Sequence, residues 1–301
     1  TDLMTALFFG GILNHDSSNP KDPKRDSFLL SKGHVTGIYY SVLAKAGYIS
    51  ESDLDSYRKI NSPKFLSGHP HPKTPGIEIA SGSLGQGLSV GHGIALGKKL
   101  DGYNSKVYVI LGDGELHEGQ IWEAAMSADK FKSNNLIAIV DYNKVAQDNI
   151  TKDLKDLEPI EDKWRSFNWD VHRIDGHNME AIVNVLNLPL HPTKPRVIIA
   201  DTIKGKGVSF MEGKTAWHGV APSPEDYDKA LEILNYAIDS LTIPKENARI
   251  YIMRGGLLAL KGQIGSACRD FIIAGQKKDS LAPQLLMDNC RGFATQYNPE
   301  F

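Results

Sequence analysis

The chain has 301 residues, with 34 lysines and arginines against 36 aspartates and glutamates, a formal net charge of −2. That balance lacks the basic excess of a nucleic-acid binder, and 41% hydrophobic with 23% charged residues is the composition of a globular protein long enough to bury a full core. No apolar run approaches the roughly eighteen residues of a membrane-spanning helix, no secretory leader pattern opens the chain, and Cys268 and Cys290 are too few for a disulfide scaffold and are expected to be buried or partly buried thiols.

Residues 2–10 read as the inside of an apolar helix with no capping lead-in beyond Thr1, so an N-terminal segment is expected to be missing. The first hundred or so residues read as helix and loop. Residues 37–46 have helical apolar spacing and end at Gly47, a C-terminal cap. Residues 50–54 open another helix with acids in its first turn. A loop rich in Pro, His and Gly follows at 63–76, and residues 84–100 alternate small and apolar side chains as a tightly packed helix does.

The centre is clearer. Residues 106–111 form a short, nearly continuous apolar run, the mark of a buried parallel strand, and Gly112-Asp113-Gly114 ends it. Residues 121–132 read as a helix and 136–140 as the next strand, a right-handed βαβ unit. Strands at 169–174 and 196–202, with a helix at 179–188 between them, continue the alternation. The pattern predicts an α/β domain over 1–241: a doubly wound, mostly parallel sheet with helices on both faces, its ligands beyond the carboxyl ends of the strands. The tail, 242–301, has no motif or repeat; within it 250–260 is apolar and 264–274 reads as a helix.

Alone, Gly112-Asp113-Gly114 is an ordinary turn. Asp141-Tyr142-Asn143, however, ends the neighbouring strand, so Asp113 and Asn143 stand at the carboxyl ends of adjacent strands. Hard cations such as Mg²⁺ take octahedral oxygen ligands, often shared with phosphate. Gly114 lets the backbone approach a phosphate, and the following helix N-terminus adds donors. A diphosphate held through Mg²⁺ suits this arrangement.

The stretch Gly112-Asp-Gly-Glu-Leu-His-Glu-Gly-Gln-Ile-Trp-Glu-Ala124, followed by Asn134-Asn135 and Asp141-Tyr-Asn143, resembles the thiamine-diphosphate motif in its transketolase form. The resemblance implies that Gly112, Asp113, Gly114 and Glu115 lie at the cofactor. It implies Mg²⁺ (or Ca²⁺) on Asp113, the Asn143 side chain and the Val145 carbonyl. It places Glu118 near the interface between subunits, linking two active sites. Leu30-Ser-Lys-Gly-His34 is similar to the family segment whose lysine and histidine, here Lys32 and His34, reach the cofactor. Ser67-Gly-His-Pro-His-Pro72 is similar to the loop supplying a substrate-facing histidine, here His69. Gly82-Ser-Leu-Gly-Gln-Gly87 would set Gly82, Ser83 and Leu84 against the aminopyrimidine ring; with no strand before it, it fails as a dinucleotide fingerprint. Thr202-Ile-Lys-Gly-Lys-Gly207 and Trp217-His218-Gly219 resemble the cofactor-covering segment, with Lys204 on the diphosphate and His218 near it and the reacting centre. Each of these is also readable in isolation as a polar loop, a Pro-rich turn or a packed Trp–His pair. In the family's order they cover roughly residues 1–241.

A transketolase moves a two-carbon ketol unit from a ketose phosphate to an aldose phosphate, with thiamine diphosphate as the electron sink. Histidine suits the proton transfers because imidazole titrates near neutrality, and His69, His218 and Glu118 are the expected catalytic residues. The family's pyrimidine-binding domain, with its glutamate, has no counterpart in the tail. The chain is thus expected to be one subunit of a split transketolase, or a fragment, working as a dimer or heterotetramer with a chain that supplies the pyrimidine-binding half. A deoxyxylulose-phosphate synthase is the enzymatic alternative, although the Glu118-Gly-x-x-Trp run fits transketolase better. A non-catalytic half-transketolase that binds a partner is the other. Sugar phosphates are the expected substrates, no nucleic acid or membrane is expected as partner, and the cytoplasm is the expected compartment.

Overall fold

Uninterrupted apolar runs build the centre of the molecule. The computed structural model describes residues 1–240, 251, 252, 255, 264–276, 282 and 290. It contains one five-stranded sheet: β1 (Ser27–Leu30), β2 (Val107–Gly112), β3 (Leu136–Tyr142), β4 (Asp170–Asp175) and β5 (Arg196–Asp201), in the order β1-β2-β3-β5-β4. Every pairing is parallel. The register ends with Gly112 opposite Asp141 and Tyr142 opposite Asp201, which brings the turns after β2, β3 and β5 to one edge.

Helices cover both faces, so alternate strand residues are buried on opposite sides. Tyr108 and Ile110 of β2 join a cluster with α1 (Asp2–Phe9), α2 (Thr36–Lys45) and α7 (Met179–Asn187). Val107, Val109 and Leu111 join the opposite cluster, with α3 (Gln86–Leu100), α4 (Gly119–Lys130) and α6 (Ile160–Ser166). The short helix α5 (Thr151–Leu154) follows the loop after β3. This is the doubly wound α/β arrangement that the sequence predicts.

Three expectations need correction. The first hundred residues are not only helix and loop, because Ser27–Leu30 is a strand paired with Val107–Ile110. All four of its residues are buried, so it shows no alternation, and it is too short for periodicity to reveal. The segment expected to start a helix at Ser50 is a 3-10 turn, Glu51–Ser56, held by a capping box between Ser50 and Asp53. The cysteines are not thiols: Cys268 and Cys290 form a disulfide, each 1% exposed, with Cα atoms 5.8 Å apart. Their sequence separation of 22 carries no hint of that proximity, which comes from packing Cys290 into a cluster with Ala267, Cys268 and Phe271 of the helix Ile264–Gln276.

The chain divides into two compact units, one of Thr1–Lys204 with Gly213–Gly219, the other of Gly205–Glu212 with Val220–Phe301. The second contains α8 (Pro224–Ser240) and the helix Ile264–Gln276. Of the apolar stretch expected at 250–260, residues 251, 252 and 255 are helical and the others lie outside the described residues. Among the described residues no helix is long and apolar enough to cross a membrane.

One buried histidine ties the stability of the first unit to pH. His92 on α3 is 7% exposed and bonds Ser127 Oγ through Nε2 and Ser133 Oγ through Nδ1, both at 3.0 Å. Burial pushes its pKa down. The unfolded chain therefore binds more protons at this site once pH falls below the free imidazole value of about 6.5. The fold is unpenalised above that value and loses stability below it. Thermal melts should show a midpoint that drops between about pH 7 and about pH 5, and a smaller drop in His92→Gln. Parallel drops in the two proteins would contradict this.

Candidate active site

The site lies where the strands end. Asp113 directly follows β2 and caps the short turn Gly114–His117. Its carboxylate is 3% exposed and accepts from the Gly114 N–H at 2.7 Å and from the Lys144 N–H. The second bond joins the β2 turn to the loop after β3. In that loop Asn143 Oδ1 accepts from the Val145 N–H at 3.0 Å, and Lys144 takes a left-handed φ of 64°. A Cβ on Gly114 would meet Ala146 Cβ at 3.4 Å, an ordinary van der Waals contact.

Burial pushes the Asp113 carboxyl up, although the N–H groups of Lys144 and Gly114 oppose the shift. A buried carboxylate with that penalty fits a cation, and the Asp113, Asn143 and Val145 oxygens are the hard donors that Mg²⁺ or Ca²⁺ takes. Among the described residues no group of three or more His, Cys, Asp or Glu could hold an ion unaided. A metal held there would need further oxygen ligands from phosphate or water.

A second acid organises the cations. Asp141, near the end of β3, pairs with Lys32 and accepts from the Thr202 hydroxyl. Burial opposes its charge, but Lys32 and Thr202 hold its carboxyl at about 2. Lys204, two residues beyond Thr202, donates from Nζ to His218 Nδ1 at 2.9 Å, which leaves the His218 ring proton on Nε2. The His218 ring stacks on His34, with centroids 5.2 Å apart. Burial lowers the pKa of Lys204, with Lys32 adding to it. Burial, then Lys204 and Lys32, likewise lowers His218. His34, although exposed, is pushed down to about 4, first by desolvation and then by Lys32, His218, His69 and Lys204. Both rings are therefore neutral near pH 7, beside two lysines that favour an anion.

His69 belongs to the same cluster. Its ring lies against Gly82, where a Cβ would come 2.8 Å from His69 Cδ2 and where φ is 149°. Its carbonyl accepts from Tyr40 Oη at 3.0 Å and Ser67 Oγ at 2.6 Å, which fixes the loop. Leu84 is half-buried, and the exposed Ser83 accepts from Gln86 Nε2 at 3.1 Å. Glu115 is fully engaged by the protein. It is 2% exposed and accepts from Ser31 Oγ, from the Gly85 N–H at 2.8 Å and from the Gly112 N–H at 3.0 Å. It thus braces three loops of the site. Glu118, exposed at the start of α4, packs its Cβ where Gly85 could carry none.

The structure thus gathers Lys32, His34, His69, Lys204 and His218 and separately joins Asp113 to the Asn143–Val145 turn. Sequence reasoning assigned no role to Asp141, Thr202 or Ser31. Asp141 carried a signal, as an acid closing an apolar strand, whereas the hydroxyls carried none.

Residues 2–255 match the family described as transketolase, thiamine diphosphate binding domain. An apulose-4-phosphate transketolase subunit from Actinobacillus succinogenes is 43% identical over 234 residues, covering 77% of this chain and 84% of that protein. A 6-deoxy-6-sulfo-D-fructose transketolase subunit of a Clostridium species is 43% identical over 233 residues, covering 76% and 83%. Human transketolase is 39% identical over 226 residues, 75% of this chain but 35% of that longer protein. The crystal structure of the Campylobacter jejuni transketolase superposes with a TM-score of 0.71 at 29% identity, covering 99% of this chain and 47% of that one. The chain thus spans less than half the length of the solved transketolase it resembles and most of the length of the subunits. On the extent of these matches, this chain belongs to the transketolase family and corresponds to its thiamine-diphosphate-binding, N-terminal part.

Proposed function

We propose that the chain is the cofactor-binding subunit of a split transketolase, which transfers a two-carbon ketol unit from a ketose phosphate to an aldose phosphate. A second polypeptide supplies the pyrimidine-binding half, in a dimer or heterotetramer. The observation that carries the reading is the convergence of two lysines and three histidines at the strand ends that also hold the Asp113 and Asn143 turns. The names of the relatives support the second chain, since two of them are called subunits of transketolases.

In this reading Asp113, Asn143 and the Val145 carbonyl hold Mg²⁺ (or Ca²⁺), and Lys204 meets the diphosphate. Thiamine diphosphate, when bound, supplies the carbon nucleophile and electron sink for ketol transfer. Lys32 is paired to Asp141, which fixes its ammonium at the floor of the site. His69 and His218 carry protons to and from the sugar oxygens, a role that imidazole side chains serve near neutral pH. His34 orients His218 by stacking. Glu118, exposed at the start of α4, faces outward where a partner chain can meet it.

The test is His69→Ala in the reconstituted complex. Cofactor retention should be unchanged, and kcat for ketol transfer should fall by about 10²–10⁴-fold, the usual contribution of a positioned acid–base group. Lost cofactor binding with unchanged sugar kinetics would contradict the assignment.

A further inference from the structure

Beyond β5 the chain must leave the sheet and turn Lys204 toward His218. The last ladder bond is Thr202 N–H to the Tyr142 carbonyl, at 3.1 Å. The next donor, the Ile203 N–H, has left the sheet. It is taken by His177 Nε2, at 2.8 Å, from the turn between β4 and α7. Because the backbone N–H donates, Nε2 carries no proton, so the ring proton sits on Nδ1. Nδ1 lies 2.9 Å from Asp2 Oδ2 at the start of α1, and donates to it. The tautomer is thus set from both sides of the ring.

The rest of this turn is shaped to the same segment. The Gly176 N–H donates to the Asp201 carbonyl at 2.7 Å. A Cβ on Gly176 would lie 2.5 Å from Thr202 Cγ2 and 3.0 Å from the Asp201 carbonyl oxygen, so no larger residue leaves room for the exit strand. Asp175-Gly176-His177 is therefore a template on which residues 201–203 lie. Thr202 in turn bonds Asp141, which holds Lys32. One connected path runs from Asp2 through His177 to both lysines of the site.

We infer that His177 is a positioning residue for the diphosphate end of the site. It acts through the Ile203 amide, fixing where the chain turns and so where Lys204 stands. It touches no reacting atom. The inference rests on the reading of Lys204 as a diphosphate ligand, but the bond itself can be tested apart from that reading.

The experiment compares the wild-type chain with His177→Ala and His177→Gln, the latter because the Gln amide oxygen can occupy the place of Nε2 as acceptor. Two quantities are read: amide hydrogen exchange of the 201–204 segment without ligand, and the Kd for thiamine diphosphate with Mg²⁺ in the complex with the partner chain. Exchange at Ile203 should be about tenfold faster in His177→Ala and near wild type in His177→Gln. The Kd should rise about tenfold in His177→Ala and recover in His177→Gln, with thermal midpoints of both variants close to wild type. Unchanged exchange in His177→Ala, or a Gln variant that behaves like the Ala variant in both readouts, would overturn the inference. If the wild-type complex binds no thiamine diphosphate, the functional reading above fails, while the exchange measurement still decides whether His177 holds the turn.

Discussion

Replacing Asp113 by alanine is expected to abolish Mg²⁺-dependent retention of thiamine diphosphate. The substitution removes the one carboxylate of the donor set, and the remaining amide and carbonyl oxygens carry no charge to hold a divalent ion. It also removes the acceptor for the Gly114 and Lys144 N–H groups, so the loop after β3 loosens. Asp113→Asn separates the two effects. Its amide oxygen still accepts from one of these N–H groups, so the loop should stay largely in place, yet the charge is gone. Dialysis followed by cofactor quantification should find both variants empty, and only the alanine variant clearly less stable. Because burial pushes the Asp113 carboxyl up, the metal-free protein should tolerate the asparagine well. An asparagine variant that keeps cofactor as wild type does would remove Asp113 from the metal site.

Asp141→Ala should be the most damaging single change to the fold around the site. It leaves the Lys32 ammonium, whose side chain is 12% exposed, without its counter-charge, and frees the Thr202 hydroxyl. The Asp141 side chain is 24% exposed, so the loss should fall below the ~3–5 kcal/mol of breaking a fully buried pair. The double variant Lys32→Met with Asp141→Leu removes both charges and should recover much of that loss, giving a large coupling in a double-mutant cycle. The pH dependence has a definite sign. The Asp141 carboxyl is held at about 2, below its unfolded value, so its contribution is complete above about pH 4 and fades as pH falls toward about 2. Chemical denaturation at neutral pH checks the magnitude. A loss within the range of an ordinary surface substitution would mean that the pair carries little of the stability.

Much of this was legible in the chain, for physical reasons. Residues 107–112 and 136–142 are buried on both faces, so they appear as apolar runs, and the Gly, Asp and Asn residues that close them mark the strand ends. The parallel sheet and the site at its carboxyl edge follow from those two runs. β1 escaped notice because four buried residues have no period to detect. The disulfide escaped because proximity between Cys268 and Cys290 is created by packing, not spacing. Glu115 stands in the cofactor motif, and nothing in the sequence shows that its three bonds go to Ser31, Gly85 and Gly112. His177 is the extreme case. Asp-Gly-His is an unremarked turn until the sheet register brings it beside Ile203.

The central claim is that this chain is one half of a two-chain enzyme. Native mass spectrometry of the protein purified from its own source, with thiamine diphosphate and Mg²⁺ present, tests it most directly. The account predicts a stoichiometric second polypeptide in the complex, with cofactor bound. A homo-oligomer of this chain alone, without a second polypeptide and without cofactor, would contradict it.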